Sequence, residues 1–305
     1  MKDNMKFSNL LFKLLMLLAA SLLGLTATIV NYLYKDGFRI QDLTNVQYGF
    51  AVIIIWLIVL PAIGNQKMPG RKTLCLLAGT GGSGACAIYF YFQSLTMLPV
   101  SLSIILLFQF SWIITLIDII VKKKGPGFEK VAGMIMILFG TFLAVELTSV
   151  NLMNIPVIGV GLGLLAALCF AVSLYLPEYI NNDSSVAFRS AITITISAVV
   201  IHILYPPTYL TSGILFKDGF LWWGILMALI GQVIPLLFML ISIPQIGGRM
   251  AGILGSIELP ATIIFALIIL KEEITWIRIL GVLLILIGIF KSEAINEKKE
   301  LVLEG

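Results

Sequence analysis

Charge is scarce in this chain: Asp, Glu, Lys and Arg together make up 12% of 305 residues, against about 25% in an ordinary soluble domain. Hydrophobic residues make up 59%, more apolar surface than a soluble fold of this length can hide. Histidine occurs once, as His202, and cysteine three times, as Cys75, Cys86 and Cys169. An odd number of thiols at unpaired spacings indicates neither a disulfide framework nor a metal centre, so they read as structural thiols inside apolar segments. No phosphate-cradling glycine loop and no nucleophile–base pair appears, so an enzyme is not expected, nor is a cofactor or a metal. The net charge of +4 points to no nucleic-acid partner, because the basic residues sit in short loops between apolar runs.

Those runs are the main feature. About 20 apolar residues at 1.5 Å rise cross a hydrocarbon core, and ten segments qualify. They cover residues 10–34, 45–64, 74–98, 101–121, 129–147, 156–180, 187–205, 220–243, 248–270 and 275–291. The fold class expected is therefore an all-α integral membrane protein in a lipid bilayer. With the N-terminus in the cytoplasm, fifteen of the twenty Lys and Arg residues fall on the cytoplasmic side, the excess that orients multi-pass proteins. Both termini are then cytoplasmic and the cell membrane is the expected location. Lys2, Lys6 and the run from Leu10 have some character of a signal peptide. The run is longer than a signal core, however, and its Leu17-Leu18-Ala19-Ala20 recurs as Leu164-Leu165-Ala166-Ala167. A mature helix explains both observations.

The chain repeats itself. Residues 99–140 lie over 247–288 without a gap, pairing Lys123 with Lys271, Gly133 with Gly281 and Gly140 with Gly288 at a constant offset of 148. The loop Lys122-Lys123-Lys124 of the first copy becomes Lys271-Glu272-Glu273 in the second. Five spans per half is an odd number, so the second copy must be inserted the other way up, as in many alternating-access carriers. The halves are 1–150 and 151–291, with a charged tail at 292–305. Gly133/Gly140 and Gly281/Gly288 put two small residues on one side of a helix, where a neighbouring backbone can approach closely.

The best-matching stretch to any known family runs from Ile253-Leu254-Gly255-Ser256-Ile257-Glu258-Leu259-Pro260 through Leu270-Lys271-Glu272-Glu273-Ile274-Thr275 to the final span with Gly281 and Gly288. Here the chain resembles the ten-helix, EamA-type branch of the drug/metabolite transporter superfamily, over nearly its whole length. It departs from the pattern where Leu259 separates Glu258 from Pro260, where Leu23-Gly24 replaces a tryptophan–glycine, and where lysines replace the first acidic turn. The resemblance implies a basket-like bundle. Its cavity would be lined mainly by helices 1, 3, 4, 6, 8 and 9, with helices 5 and 10 peripheral.

Glu258 is the one acidic residue that the span limits place at mid-membrane depth. A charge there costs roughly 2.5–3.5 kcal/mol on insertion scales, so the carboxylate must face water, find a partner or take up a proton. Two readings stay open: a proton-coupling site, or a structural glutamate bonded to backbone freed by Pro260. Pro235 and Pro260 are expected to kink helices 8 and 9. Ala87 and Trp112 occupy the matching positions of the first half, so the second half is expected to be the more bent. Polar candidates for the cavity wall are Gln109, Trp112, Tyr89, Gln93, Gln232 and Asn31. Gly248, Gly252 and Ser256, like Gly79, Gly81, Gly82 and Gly84, read as packing positions. Asp118 and Lys122 read as an i,i+4 pair, Arg249 as an anchor for helix 9, and Trp222, Trp223 and Trp276 as an interfacial belt. The sequon Asn182-Asp183-Ser184 falls on the cytoplasmic side and is discounted.

The function expected is a secondary transporter of a small organic metabolite such as an amino acid. Family habit implies export, and proton coupling stays open, as does assembly as a homodimer. One alternative is a proton/drug antiporter, but its mechanism needs a glutamate inside the first helix of each unit, and helices 1 and 6 have none in their cores. A non-transporting membrane scaffold is the other, and would show a dry interior with Glu258 facing lipid.

Overall fold

A computed structural model describes residues 2–145, 156–181, 184–217, 219–271 and 275–303, with side chains from 9 to 292. The described residues form ten helical spans. They are α1 (Lys2–Lys35), α2 (Ile40–Asn65), α3 (Arg71–Leu95), α4 (Val100–Lys122), α5 (Phe128–Val145), α6 (Val157–Tyr179), α7 (Val186–Leu204), α8 (Phe220–Ile246), α9 (Gly248–Leu270) and α10 (Trp276–Leu303). Nine are long and apolar enough to cross a membrane within the described residues. The apolar first part of α10 supplies the tenth span. Large side chains such as Leu57, Phe139, Ile203 and Ile268 point outward and exposed, which suits hydrocarbon rather than water. Trp222 and Trp276 are exposed near the ends of their spans, and Trp223 packs against Tyr32. The acidic turn Glu272-Glu273 and sequon positions 182 and 183 lie outside the described residues.

The packing obeys the two-fold relation that the sequence repeat implies. α3 packs on α6 and α7, and their counterparts do the same in reverse, α8 packing on α1 and α2. α4 packs on α6 as α9 packs on α1. α2 with α7, α4 with α9, and α5 with α10 each pair with their own counterpart. In the last pair Gly133 faces Gly288 and Gly140 faces Gly281. That antiparallel match is what an inverted repeat produces. α5 and α10 are peripheral, meeting each other and otherwise α4 and α9. The backbone repeats too: Lys123 (φ 52°) and Lys271 (φ 53°) are the non-glycine residues with positive φ among the described residues. Each closes its own copy of the same helix by a left-handed turn, so the match at offset 148 extends to the cap.

The bends differ from expectation. α9 is broken at Ser256–Ile257, just before Pro260, and α8 passes through a π turn at Leu229–Val233 just before Pro235. α3 runs unbroken from Arg71 to Leu95. α4, however, is also broken, at Gln109, without any proline. The Gln109 amide folds back and donates to the Ile105 carbonyl at 2.9 Å, and the Ser111 hydroxyl takes the Phe108 carbonyl at 2.9 Å. Side chains thus capture carbonyls that the next turn would have used, leaving the Gln109 N–H on Leu106 at 3.2 Å. The first half is therefore bent as well, by a glutamine and a serine in place of a proline.

Candidate functional site

The two breaks lie at equivalent places, since Gln109 corresponds to Ile257. They also lie at the same depth. A Cβ on Gly255 would sit 3.6 Å from the Phe110 ring, and one on Gly252 would strike Ile114. The half of α4 after its break (Phe110–Lys122) thus lies tightly on the half of α9 before its break (Gly248–Gly255). The other halves diverge: Val100–Phe108 packs on α6, and Glu258–Phe265 packs on α1. Gly24 makes the second contact possible. A Cβ there would come 2.6 Å from the Glu258 carbonyl and 2.9 Å from the Thr262 nitrogen. The bundle is therefore closed on the face bearing Lys122–Lys124 and parted on the opposite face, with the breaks at the bottom of the opening.

Glu258 begins the half-helix that leaves the α9 break. Its backbone carbonyl accepts the Thr262 hydroxyl at 2.8 Å. Its carboxylate has no hydrogen-bond or ion-pair partner among the described residues, and the side chain is half-buried rather than sealed. The N-terminal end of a helix favours a negative charge, which eases the cost of holding one there. Across the space, Tyr91 of α3 lies within electrostatic range of Glu258, although α3 packs on α6 and α7 and not on this part of α9. Tyr91 is the residue that sequence reading missed. Tyr89 and Gln93 share one face of α3. Tyr91, two residues from each and so nearly opposite on the helix, turns the other way.

The remaining candidates divide. Gln109 is held at the α4 break, where the Trp112 indole donates to its amide oxygen at 2.8 Å. These two and Glu258 belong to the paired breaks. Gln232 sits half-buried in the π turn of α8, with no side-chain hydrogen bond among the described residues. Tyr89 and Gln93 instead join Tyr205, the first at 5.1 Å between ring centroids and the second through a 3.4 Å hydrogen bond. Asn31 is exposed near the end of α1. Among the expected packing positions, a Cβ on Gly81 would meet the Thr193 carbonyl at 2.5 Å and one on Gly248 the Tyr175 ring at 2.8 Å. Gly82 faces open space. His202 bonds the Ala198 carbonyl through Nδ1 at 2.6 Å. A separate cleft of about 380 Å³, lined by Asp36, Arg39, Asp42 and Lys217 among others, lies between the α1–α2 and α7–α8 connections. It is remote from the breaks.

Broken helices meeting at mid-membrane between two inverted halves define a class of architecture, that of secondary transporters. The sequence pattern of the EamA-like transporter family matches the chain twice, over residues 11–146 and 157–292. The chain belongs to the EamA-like transporter family, and with it to the drug/metabolite transporter superfamily. No curated protein matches it. Among solved structures 29 chains match. One, a crystal structure of a protein with 15% sequence identity, superposes with a TM-score of 0.73 over 96% of this chain and 99% of its own. At that identity the likeness concerns the fold.

Proposed function

We propose that the protein is a secondary transporter that exports a small organic metabolite, such as an amino acid, across the cell membrane by alternating access. Both termini and the Lys122–Lys124 face lie in the cytoplasm. The observation that carries this reading is the asymmetric pairing of the broken helices: joined on one face, parted on the other, with an unpartnered carboxylate between. A scaffold would have no use for a gap of that kind, and its Glu258 would face lipid. The site offers one carboxylate, a phenol, an indole and amides. This set suits a small molecule that carries an amine and an apolar part, and it lacks the basic cluster needed for a phosphorylated substrate. Glu258 is the group proposed to couple transport to protons. Export is proposed from the family resemblance.

Two measurements test this. In a variant with its native cysteines replaced by serine, Lys123→Cys and Lys271→Cys should react with a membrane-impermeant maleimide from opposite sides, position 123 from the cytoplasm. Labelling of both from the same side removes the inverted arrangement. In proteoliposomes, a radiolabelled amino-acid mixture should enter faster when the vesicles are preloaded with unlabelled amino acids. No counterflow with amino acids, amines or other small metabolites would dismiss the transporter reading.

A further inference from the structure

The closed face is held by charges that have no counterpart at the matching positions of the opposite face. Asp118 of α4 is buried and accepts from Lys122 of its own helix at 2.7 Å, from Arg249 at the start of α9, and from the Tyr175 hydroxyl of α6 at 3.2 Å. Glu178, in the final turn of α6, pairs with the same Lys122 and accepts the Gly248 N–H at 2.8 Å. The Arg249 guanidinium also donates to the Lys124 carbonyl at 3.1 Å. One network therefore ties α4 of the first half to α6 and α9 of the second. Its links to Arg249 and Gly248 cross from α4 and α6 to α9, the contact that would have to break for this face to open.

The repeat shows what stands at the matching places on the other face. At offset 148, Asp118 corresponds to Ala266, Lys122 to Leu270 and Arg249 to Ser101, and at the offset of 147 shared by α1 and α6 Glu178 corresponds to Asn31. None is charged; Ser101, Ala266 and Leu270 are half-buried and Asn31 is exposed, as expected where the helices stand apart. Two inverted halves reach the opposite-facing state by exchanging their conformations. Ser101 and Ala266 would then lie where Arg249 and Asp118 lie now.

We infer that Asp118, Lys122, Glu178 and Arg249 form an electrostatic latch that holds the Lys122–Lys124 face shut, and that the opposite face closes through uncharged side chains. The inference rests on the alternating-access reading above. It makes the carrier intrinsically lopsided: its resting state is the one parted on the face opposite the latch. Opening toward the lysine loop requires taking Arg249 away from the buried Asp118 carboxylate, which is costly once a partner is gone. Occupancy of the mid-membrane site would have to supply the difference between the two states.

The test uses full-length protein in oriented vesicles, with the native cysteines replaced and Tyr91→Cys as a reporter between the halves. The ratio of labelling by impermeant maleimide from the two faces is the readout. Unaltered latch residues should give labelling mainly from the face opposite the lysine loop. Arg249→Gln should shift the ratio toward the lysine-loop face by about tenfold, the response of a two-state equilibrium to loss of a strong differential contact. Arg249→Lys, which keeps the charge opposite Asp118, should shift it less than Arg249→Gln does. The mirror pair Ser101→Arg with Ala266→Asp, which leaves the native latch intact, should move the ratio in the same direction as Arg249→Gln by giving the other face a latch of its own. Should Arg249→Gln fail to fold, the mirror pair still decides. An unchanged ratio in the folded variants, together with normal amino-acid counterflow in the unaltered protein, overturns the latch and leaves the transporter reading standing. Absence of counterflow overturns both.

Discussion

Glu258→Gln is expected to leave a folded protein that can no longer drive substrate uphill. One proton per substrate across one pH unit supports about tenfold accumulation, since a pH unit is worth about 1.36 kcal/mol. The glutamine variant should equilibrate to a ratio of one. Glutamine preserves the volume of the side chain and its ability to bond, but can neither bind a proton nor carry charge. The carboxylate has no partner among the described residues and sits half-buried at the start of a half-helix. In the proposed coupling, that charge is balanced by a proton or by a cationic group on the substrate. Counterflow distinguishes these. If the carboxylate serves only the proton, counterflow should survive within about threefold, because exchange needs no net proton movement. If it also holds an amine, counterflow falls with accumulation. Accumulation unchanged in Glu258→Gln would remove the proton role. Tyr91→Phe provides the companion measurement. Losing a hydroxyl within electrostatic range of Glu258 should displace the pH at which transport is half-maximal while leaving the amount of folded protein unchanged. A purely structural tyrosine would alter the amount and not the profile.

The architecture was readable because a membrane allows so few options. Backbone groups in lipid must be satisfied within the helix, so a long apolar run is a helix. The repeat at offset 148 then constrained the topology. Its strongest marks, the glycine pairs and the lysines at 123 and 271, became the close contacts and the left-handed caps of the fold. The site was less legible. Proline announces a bend, and the breaks before Pro235 and Pro260 were in view. The break at Gln109 was not, since a glutamine capturing its own i−4 carbonyl looks in sequence like any polar residue on a helix. On α3, Tyr89 and Gln93 share a face at helical spacing, but spacing alone does not say which face meets the cavity. The structure gives Tyr89 and Gln93 to Tyr205, which leaves Tyr91 on the other side of the helix. Asp118, Lys122 and Arg249 were read separately, as a local pair and an anchor. Their union depends on Glu178 and Tyr175 arriving from a helix sixty residues away in sequence, a juxtaposition that no local pattern encodes.

Gly281→Val is expected to be the most damaging substitution for stability. A Cβ at Gly281 would strike the Ala144 nitrogen and approach the Ala144 Cα and the Gly140 carbonyl, both at 2.7 Å. Every one of those atoms is backbone, so no side chain can rotate away. At the other crossing, a Cβ on Gly288 would lie 2.7 Å from the Gly133 carbonyl, and one on Gly133 would lie 2.6 Å from the Gly288 carbonyl. The two crossings are exchanged by the two-fold relation, so α5 and α10 meet along a seam of bare backbone. At such distances Cα–H groups face carbonyls, and dispersion supplies the attraction that hydrophobic burial cannot provide between helices in lipid. Valine would force the helices apart along the whole seam. Overpacking of this kind costs about 3 kcal/mol or more, which corresponds to a fall in Tm on the order of 10 °C, read by fluorescence-detected size-exclusion after heating in detergent. Gly161→Val is the control: a Cβ there meets nothing within 4 Å, and Tm should stay within about 2 °C. Equal losses from both substitutions would mean that the damage comes from β-branching in a helix and not from the seam. A loss confined to Gly281 would show that this pair of peripheral helices is one of the joins between the halves. The central helices, α4 and α9, would then be left free to part and rejoin at their breaks.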